Sequence, residues 1–435
     1  MAEVSSIQGD RSSGLQLDSH RAVLDNGLVI LVTENPSADI IAARIFLDAG
    51  SRHEQPLLDR AGLSHMAASL LTKGTQTQTA QEIAEQVESI GASLGVSSAP
   101  DYFLVSLKTI GSDFADILKL AAGLIRHPIF PESELALERK LTLQAIRARQ
   151  EQPMAIALEQ LRQSIYRHHP YSQNGLGTLE TVERLQRSEL RQFHARYFRP
   201  DTTVLSIAGN ITLEKARSLA EELLGDWMPA SAAPPAASRL TLDSTPHQRV
   251  RVQNTQQSIV MLGYPAPAIR DADYSALKLL YTYLCSGLSS RLFTELREKR
   301  GMAYEVSGLF PTRLHPSHFV AYLGTASQNT ALALSLLKDE LLRLSTQPLS
   351  ETEVRVAKNK LLGQHALGKQ TNHQIAHLYG LYEFLQLGAD YDRAFVQSIQ
   401  AIAPEQLYRA ALQHLKEPFV SVVGPETGIS SLASL

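Results

Sequence analysis

The chain has one cysteine, Cys285, among 435 residues. A single thiol excludes an internal disulfide framework and a thiolate metal cage, and it fits a reducing compartment. An excess of either charge is missing too: 41 Lys and Arg stand against 44 Asp and Glu. Nothing in that balance draws the chain towards nucleic acid or an anionic membrane surface. No run of eighteen or more apolar residues occurs, which argues against a membrane span. The opening "MAEVSSIQGDRSSGL" has no basic flank followed by an apolar stretch, so it does not read as a secretory signal. A cytoplasmic location is the expectation.

What is present suits a globular protein. Hydrophobic residues make up 44% and charged residues 20%, and the length fits two to four domains rather than one core. Laid against itself, the chain repeats. "PESELALERKLTLQAI" from Pro131 resembles "LSETEVRVAKNKLLGQ" from Leu349, at an offset near 219. Each is preceded by a strand and a helix, "DYFLVSLKTIGSDFADILKLAAGLI" and "SHFVAYLGTASQNTALALSLLKDELL". Each is followed by a long helical stretch and then a proline-led β-branched run ending in glycine, "RPDTTVLSIAG" and "EPFVSVVG". Between the halves "PASAAPPAASRLTLDSTPHQ" reads as an extended linker. The expected organisation is a first domain over 15–228, a linker over 229–248 and a second domain over 249–435. Runs such as "VLDNGLVILVTEN" and "IIAARIFLDAG" suit strands with one packed and one wet face. The fold class is therefore α+β: two homologous domains, each an antiparallel or mixed sheet with helices on one face.

"AGLSHMAASLLTKGT", Ala61 to Thr75, reads as an amphipathic helix carrying a lone His65. A helical zinc peptidase needs two imidazoles one turn apart and a carboxylate base beside them. Ala68 and Ser69 offer neither. His65 is expected to be a hydrogen-bonded packing residue. In "NHQIAH", His373 and His377 lie four apart on a predicted helix, a spacing able to bind zinc, yet no glutamate sits between them and no third ligand announces itself. "YRHHPY", with His168 and His169, reads as a helix end before a turn at Pro170. Cys285 closes an apolar helical run and reads as a small core residue.

The stretch "GLSHMAASLLTKGT" resembles the pitrilysin/insulinase family of zinc peptidases, the inverzincins, whose helix carries His-x-x-Glu-His. On that resemblance His65 takes the first ligand position and Lys73-Gly74-Thr75 closes the motif. Ala68 stands for the base and Ser69 for the second histidine. Leu143-Gln144-Ala145-Ile146 replaces a Leu-Glu-Glu-Ile-like segment that supplies the third ligand. No metal site is expected on this chain. "GLSSRLFTELREKRGMAYEVSGLF", Gly287 to Phe310, resembles the family's second-half signature, with Arg297 and Tyr304 at the positions that project towards the zinc site of another half or another chain.

The residues support such a placement on their own terms. Arg297 falls near the end of a helix, Gly301 breaks it, and "AYEVSGLF" alternates as a strand, so Tyr304 stands just after a turn. A phenol there can donate to a developing oxyanion, and a guanidinium can grip a carboxylate or carbonyl. Arg291, in "SSRLF", is read as structural, tying its loop to a carboxylate. The resemblance implies a fold of the LuxS and processing-peptidase kind and half of a four-domain chamber for peptides. It implies a non-zinc subunit that supplies Arg297 and Tyr304, as catalytic and substrate-binding residues, in trans to a homologous zinc-bearing partner. Zinc is expected on that partner and no cofactor on this chain. The alternatives are a structural scaffold, or a peptide-binding subunit, although the long glycine-rich loop of the latter is absent. A self-sufficient metallopeptidase fits least, because its ligands are missing.

Overall fold

The computed structural model describes residues 19–54, 59–167, 169–228, 240, 242–243, 245–388 and 390–434. Most of the expected linker over 229–248 therefore lies outside the described residues. The strands are β1 (Ser19–Val23), β2 (Val29–Glu34), β3 (Ile40–Leu47), β4 (Ser93–Ser98), β5 (Phe103–Ile110), β6 (Thr203–Gly209), β7 (Gln248–Val252), β8 (Gln257–Ala266), β9 (Glu305–Leu309), β10 (Ser317–Ala326) and β11 (Phe419–Gly424). They form two sheets, ordered β1-β2-β6-β3-β5-β4 and β7-β11-β8-β10-β9. In each, one parallel pair (β2 with β6, β7 with β11) sits beside an antiparallel run. The second order is the first without β1, so the repeat in the sequence is a repeat in topology. "VLDNGLVILVTEN" is not one strand but most of a hairpin, turned at Gly27 with φ of +91°.

Helices follow the same doubling. Glu132–Gln150 and Pro153–Tyr166 in the first half begin 219 residues before Glu351–Leu367 and Asn372–Phe384 in the second. Each half packs helices on one face of its own sheet over an apolar core, one centred on Ile45, Met66 and Ile117, the other on Leu262, Leu280 and Leu337. The opposite face of each sheet is covered by a helix from the other half. Pro153–Tyr166 lays Ile156, Leu161 and Ile165 on Met261, Val320 and Phe419 of the second sheet. Asn372–Phe384 lays Ile375, Ala376 and Phe384 on Ala208, Phe46 and Val204 of the first. For this reason β3, expected to have a wet face, is buried from Ile41 to Leu47.

The two junctions solve one packing problem with opposite choices. Phe46 of β3, opposite Val204, and Gly263 of β8, opposite Phe419, hold equivalent register positions. Against Phe46 the helix presents Gly380; against Gly263 it presents Leu161. Large meets small in both, with the roles reversed, which keeps packing dense without a void. Buried polar contacts lock the halves further. Tyr171 donates its hydroxyl to Asp101, and the Leu314 backbone N–H donates to the same carboxylate at 3.3 Å. The Tyr166 hydroxyl meets His318 Nδ1 at 2.8 Å. Among the described residues no helix is long and apolar enough to cross a membrane.

A Cβ added at Gly380 would sit 2.6 Å from the Phe46 ring and 2.8 Å from Ser206 Cβ. Gly380→Ala is expected to cost about 1–3 kcal/mol by overpacking, read from denaturant midpoints at constant m value. A cost below about 0.5 kcal/mol would mean that this helix is not seated on the first sheet.

Candidate functional site

The motif helix of the first half, Leu63–Leu71, is fixed at its N-terminus with unusual care. Gly62 (φ +94°) and Gly177 (φ +86°) meet backbone to backbone, and a Cβ on Gly177 would lie 2.2 Å from the Ala61 carbonyl oxygen. Only glycine tolerates both the conformation and the approach. Thr181 donates its hydroxyl to that Ala61 oxygen at 2.8 Å. Buried Glu54 accepts from the N–H groups of Gly62 at 3.0 Å and Ser64 at 2.8 Å, doing for the helix start what a local cap does elsewhere. Burial pushes its carboxyl up to about 7 against those hydrogen bonds. The far side of the helix meets Glu132–Gln150, with the Thr142 hydroxyl 3.4 Å from Met66 Sδ.

The frame of a metal helix is thus intact, and its ligands do not fit a metal. His65 is half-buried, its imidazole pushed below the usual range by burial and partly restored by Glu138. Contrary to expectation it makes no hydrogen bond among the described residues. Ala68 is buried with a methyl group where a base would act, and Ser69 brings a neutral hydroxyl. Gln144 and Ala145 are exposed on the neighbouring helix. The nearby Glu138 is shared with Lys73 at 3.4 Å. Among the described residues no three His, Cys, Asp or Glu side chains converge as a metal site. One nitrogen and one hydroxyl cannot hold zinc in a reactive coordination. His373 and His377 do share a helix, but the guanidinium of Arg44 contacts the His373 ring, and a cation there opposes a second cation. His168 lies outside the described residues; His169 caps the turn at Pro170–Ser172, accepting from Tyr171 N–H at 3.1 Å. Cys285 is buried against Gly308, its thiol pushed up by burial.

In the second half "FTELRE", Phe293–Glu298, is a π-helical turn, with Lys299 N–H bonded to the Thr294 carbonyl at 3.0 Å. Such turns are rare and recur at functional sites. Buried Glu295 organises it, pairing with Lys299 at 2.7 Å, Arg291 at 3.0 Å and Arg300 at 3.8 Å. Arg291 also reaches Glu340 at 2.8 Å, the carboxylate tie expected of it, although from within the helical turn rather than before it. Arg297 is left out of this network. It is exposed, its guanidinium lies 4.9 Å above the Phe293 ring, and it has no carboxylate partner among the described residues. Gly301 (φ +61°) then turns the chain, and Tyr304 enters the sheet with its N–H on the Gly324 carbonyl at 2.9 Å. Among the described residues β9 is an edge strand paired only with β10. Tyr304 is 60% exposed and its hydroxyl has no partner among the described residues.

Fold and site together describe a duplicated α+β scaffold, with a helix that offers only His65 as a metal-type ligand in one half and, in the other, an Arg and a Tyr whose polar ends are unpaired among the described residues. Two family models match in series: "Insulinase (Peptidase family M16)" over residues 29–179 and "Peptidase M16 inactive domain" over 184–361. The chain belongs to this insulinase, or M16, peptidase family. It is similar to an uncharacterized zinc protease of Mycobacterium leprae, 27% identical over 415 residues, covering 93% of this chain and 91% of that one. The uncharacterized zinc protease YmxG of Bacillus subtilis is 25% identical over 413 residues, covering 94% and 99%. In fold it is similar to the peptidase M16 inactive domain from Pseudomonas fluorescens, with a TM-score of 0.87 at 23% identity, covering 94% of this chain and 98% of that one. A protease from Helicobacter pylori gives a TM-score of 0.86 at 20% identity, covering 94% and 99%.

Glu54 generates a prediction with a defined sign. Its carboxyl sits at about 7 when folded and at an ordinary 4.5 when unfolded, so the folded state holds the proton more tightly. Its contribution to stability is complete below about 4.5 and is lost as pH rises through about 7. Glu54→Gln removes that loss. Denaturation of both proteins at pH 5 and pH 8 should show the variant gaining on the wild type at the higher pH; an unchanged gap refutes it.

Proposed function

We propose that this chain is the non-zinc subunit of a two-chain M16 peptidase, acting on peptides together with a homologous partner that bears His-x-x-Glu-His. The observation that carries this reading is the contrast within one segment. Arg291, Lys299 and Arg300 are engaged by Glu295 or Glu340, while Arg297 on the π-turn and Tyr304, its backbone hydrogen-bonded to Gly324, have their polar ends unpaired among the described residues. An exposed arginine over a phenylalanine ring is positioned but available to a carboxylate or a peptide carbonyl. A phenol just before an edge strand is available to donate to the carbonyl oxygen of a scissile bond as it becomes an oxyanion. The partner's metal would supply the activated water. This chain's share is orientation by Arg297 and charge stabilisation by Tyr304.

The test is reconstitution. This chain alone should not hydrolyse peptides, and a mixture with its zinc-bearing partner should. In the mixture Tyr304→Phe should lower kcat by about 10²–10³, the cost of one oxyanion donor, and Arg297→Ala should raise KM. Full activity in the Tyr304→Phe mixture would remove the assigned role. A partner that is fully active by itself would favour the scaffold reading.

A further inference from the structure

The two exchanged-helix junctions are built at equivalent positions, yet their side chains differ in kind. In the second sheet Met261 faces Ser421 across one ladder and Tyr322 across the other; in the first, Arg44 faces Ser206 and Ser106 at the same register. The covering helices align at the 219-residue offset, so Met154 and Leu158 of one correspond to His373 and His377 of the other. One junction is apolar at all three places. The other carries a guanidinium and two imidazoles.

Arg44 is 2% exposed and forms no ion pair among the described residues; its guanidinium contacts the His373 ring, while its Nε has no hydrogen-bond partner. The Ser206 hydroxyl beside it is buried and unpartnered as well, whereas its counterpart Ser421 donates to Gln160 at 3.1 Å. Burial pushes Arg44 down to about 10 and His377 down to about 4, the latter pushed further by Arg44 and His373. The charged groups acting on His373 are Arg44 and Lys108, both cations. A buried cation with no counter-charge is costly, and the second junction shows that methionine fills the same position. The polar end opens outwards, since His373 and Lys108 are exposed.

We propose that Arg44, His373, His377 and Ser206 form a binding site for a small oxyanion, at the seam between the first sheet and the helix lent to it by the second half. A guanidinium fork is suited to paired oxygens of a phosphate or a carboxylate. Two imidazoles and a hydroxyl supply further donors at its flanks, and Lys108 stands at the entrance. The ligand is either free phosphate or the terminal carboxylate of a peptide. The site is independent of Arg297, on the π-helical turn of the second half, and of Tyr304, just before β9.

The experiment uses the full chain at constant ionic strength with three probes: inorganic phosphate, a short peptide with a free C-terminus, and the same peptide amidated. Thermal melting and ³¹P line broadening are the readouts for phosphate; calorimetry is used for the peptides. The expected result is one equivalent of phosphate or free-acid peptide bound, with no binding of the amide. A triple variant, Arg44→Met, His373→Met and His377→Leu, copies the other junction; it should fold and bind at least about tenfold more weakly, as loss of a charge-assisted pair requires. If that variant melts early, Ser206→Ala and His377→Leu singly should each weaken binding. Phosphate binding alone assigns a free anion, and free-acid binding alone assigns a peptide terminus. Failure of both probes to bind the wild type at millimolar concentration, or equal binding by the variants, overturns the proposal.

Discussion

The rest of the structure depends on the reciprocal covering of the two sheets. A sheet with one face packed and one face wet would be stable by itself; here β3 and β8 are largely buried on both faces. Each needs a helix that its own half does not supply. Leaving Phe46, Val204 or Phe419 in water would forfeit about 1.5–3 kcal/mol apiece. Helix exchange therefore decides the relation of the halves before any polar contact does. Asp101, Tyr171, Tyr166 and His318 add directional bonds to a placement already set by burial.

Within that frame the two candidate segments differ in what their supports hold. In the first half the motif helix is firmly held, by the remote carboxylate of Glu54, the paired backbones at Gly62 and Gly177, and the crossing at Met66 and Thr142. These positions serve packing and hydrogen bonding, so they are required whatever the helix displays. The displayed positions, Ala68 and Ser69, are mute. In the second half the supporting ion pairs around Glu295 hold a π-turn in place and leave the reactive-looking groups unspent. One segment has an ordered frame with little chemistry to display, and the other holds an arginine and a tyrosine unpaired among the described residues.

Much of this was legible in the sequence. The 219-residue repeat, the paired strand-helix units and the motif helix are local patterns, and local patterns determine local structure. Arg297 near a helix end and Tyr304 just after a turn were readable because Gly301 marks the break. What escaped depends on residues far apart in the chain. The wet face assigned to β3 is dry because of a helix some 330 residues later, and no periodicity in β3 itself can report that. His373 and His377 look like a metal pair until Arg44 is placed beside them. Glu54 caps a helix that starts nine residues on, outside any capping-box spacing. The π-turn at Phe293–Glu298 is hidden because its hydrogen-bond register depends on how Glu295 is held rather than on helical propensity.

The mirrored junctions carry a consequence for how such a chain can have arisen and changed. Two copies of a half-length polypeptide, each lending one helix to its neighbour, would make a domain-swapped dimer with this arrangement. Fusing the copies makes docking intramolecular and insensitive to dilution. It also frees each interface from having to match itself. Only after such a fusion can one seam settle on Phe46 with Gly380 while the other keeps Gly263 with Leu161, and only then can arginine and histidine enter one seam without entering both.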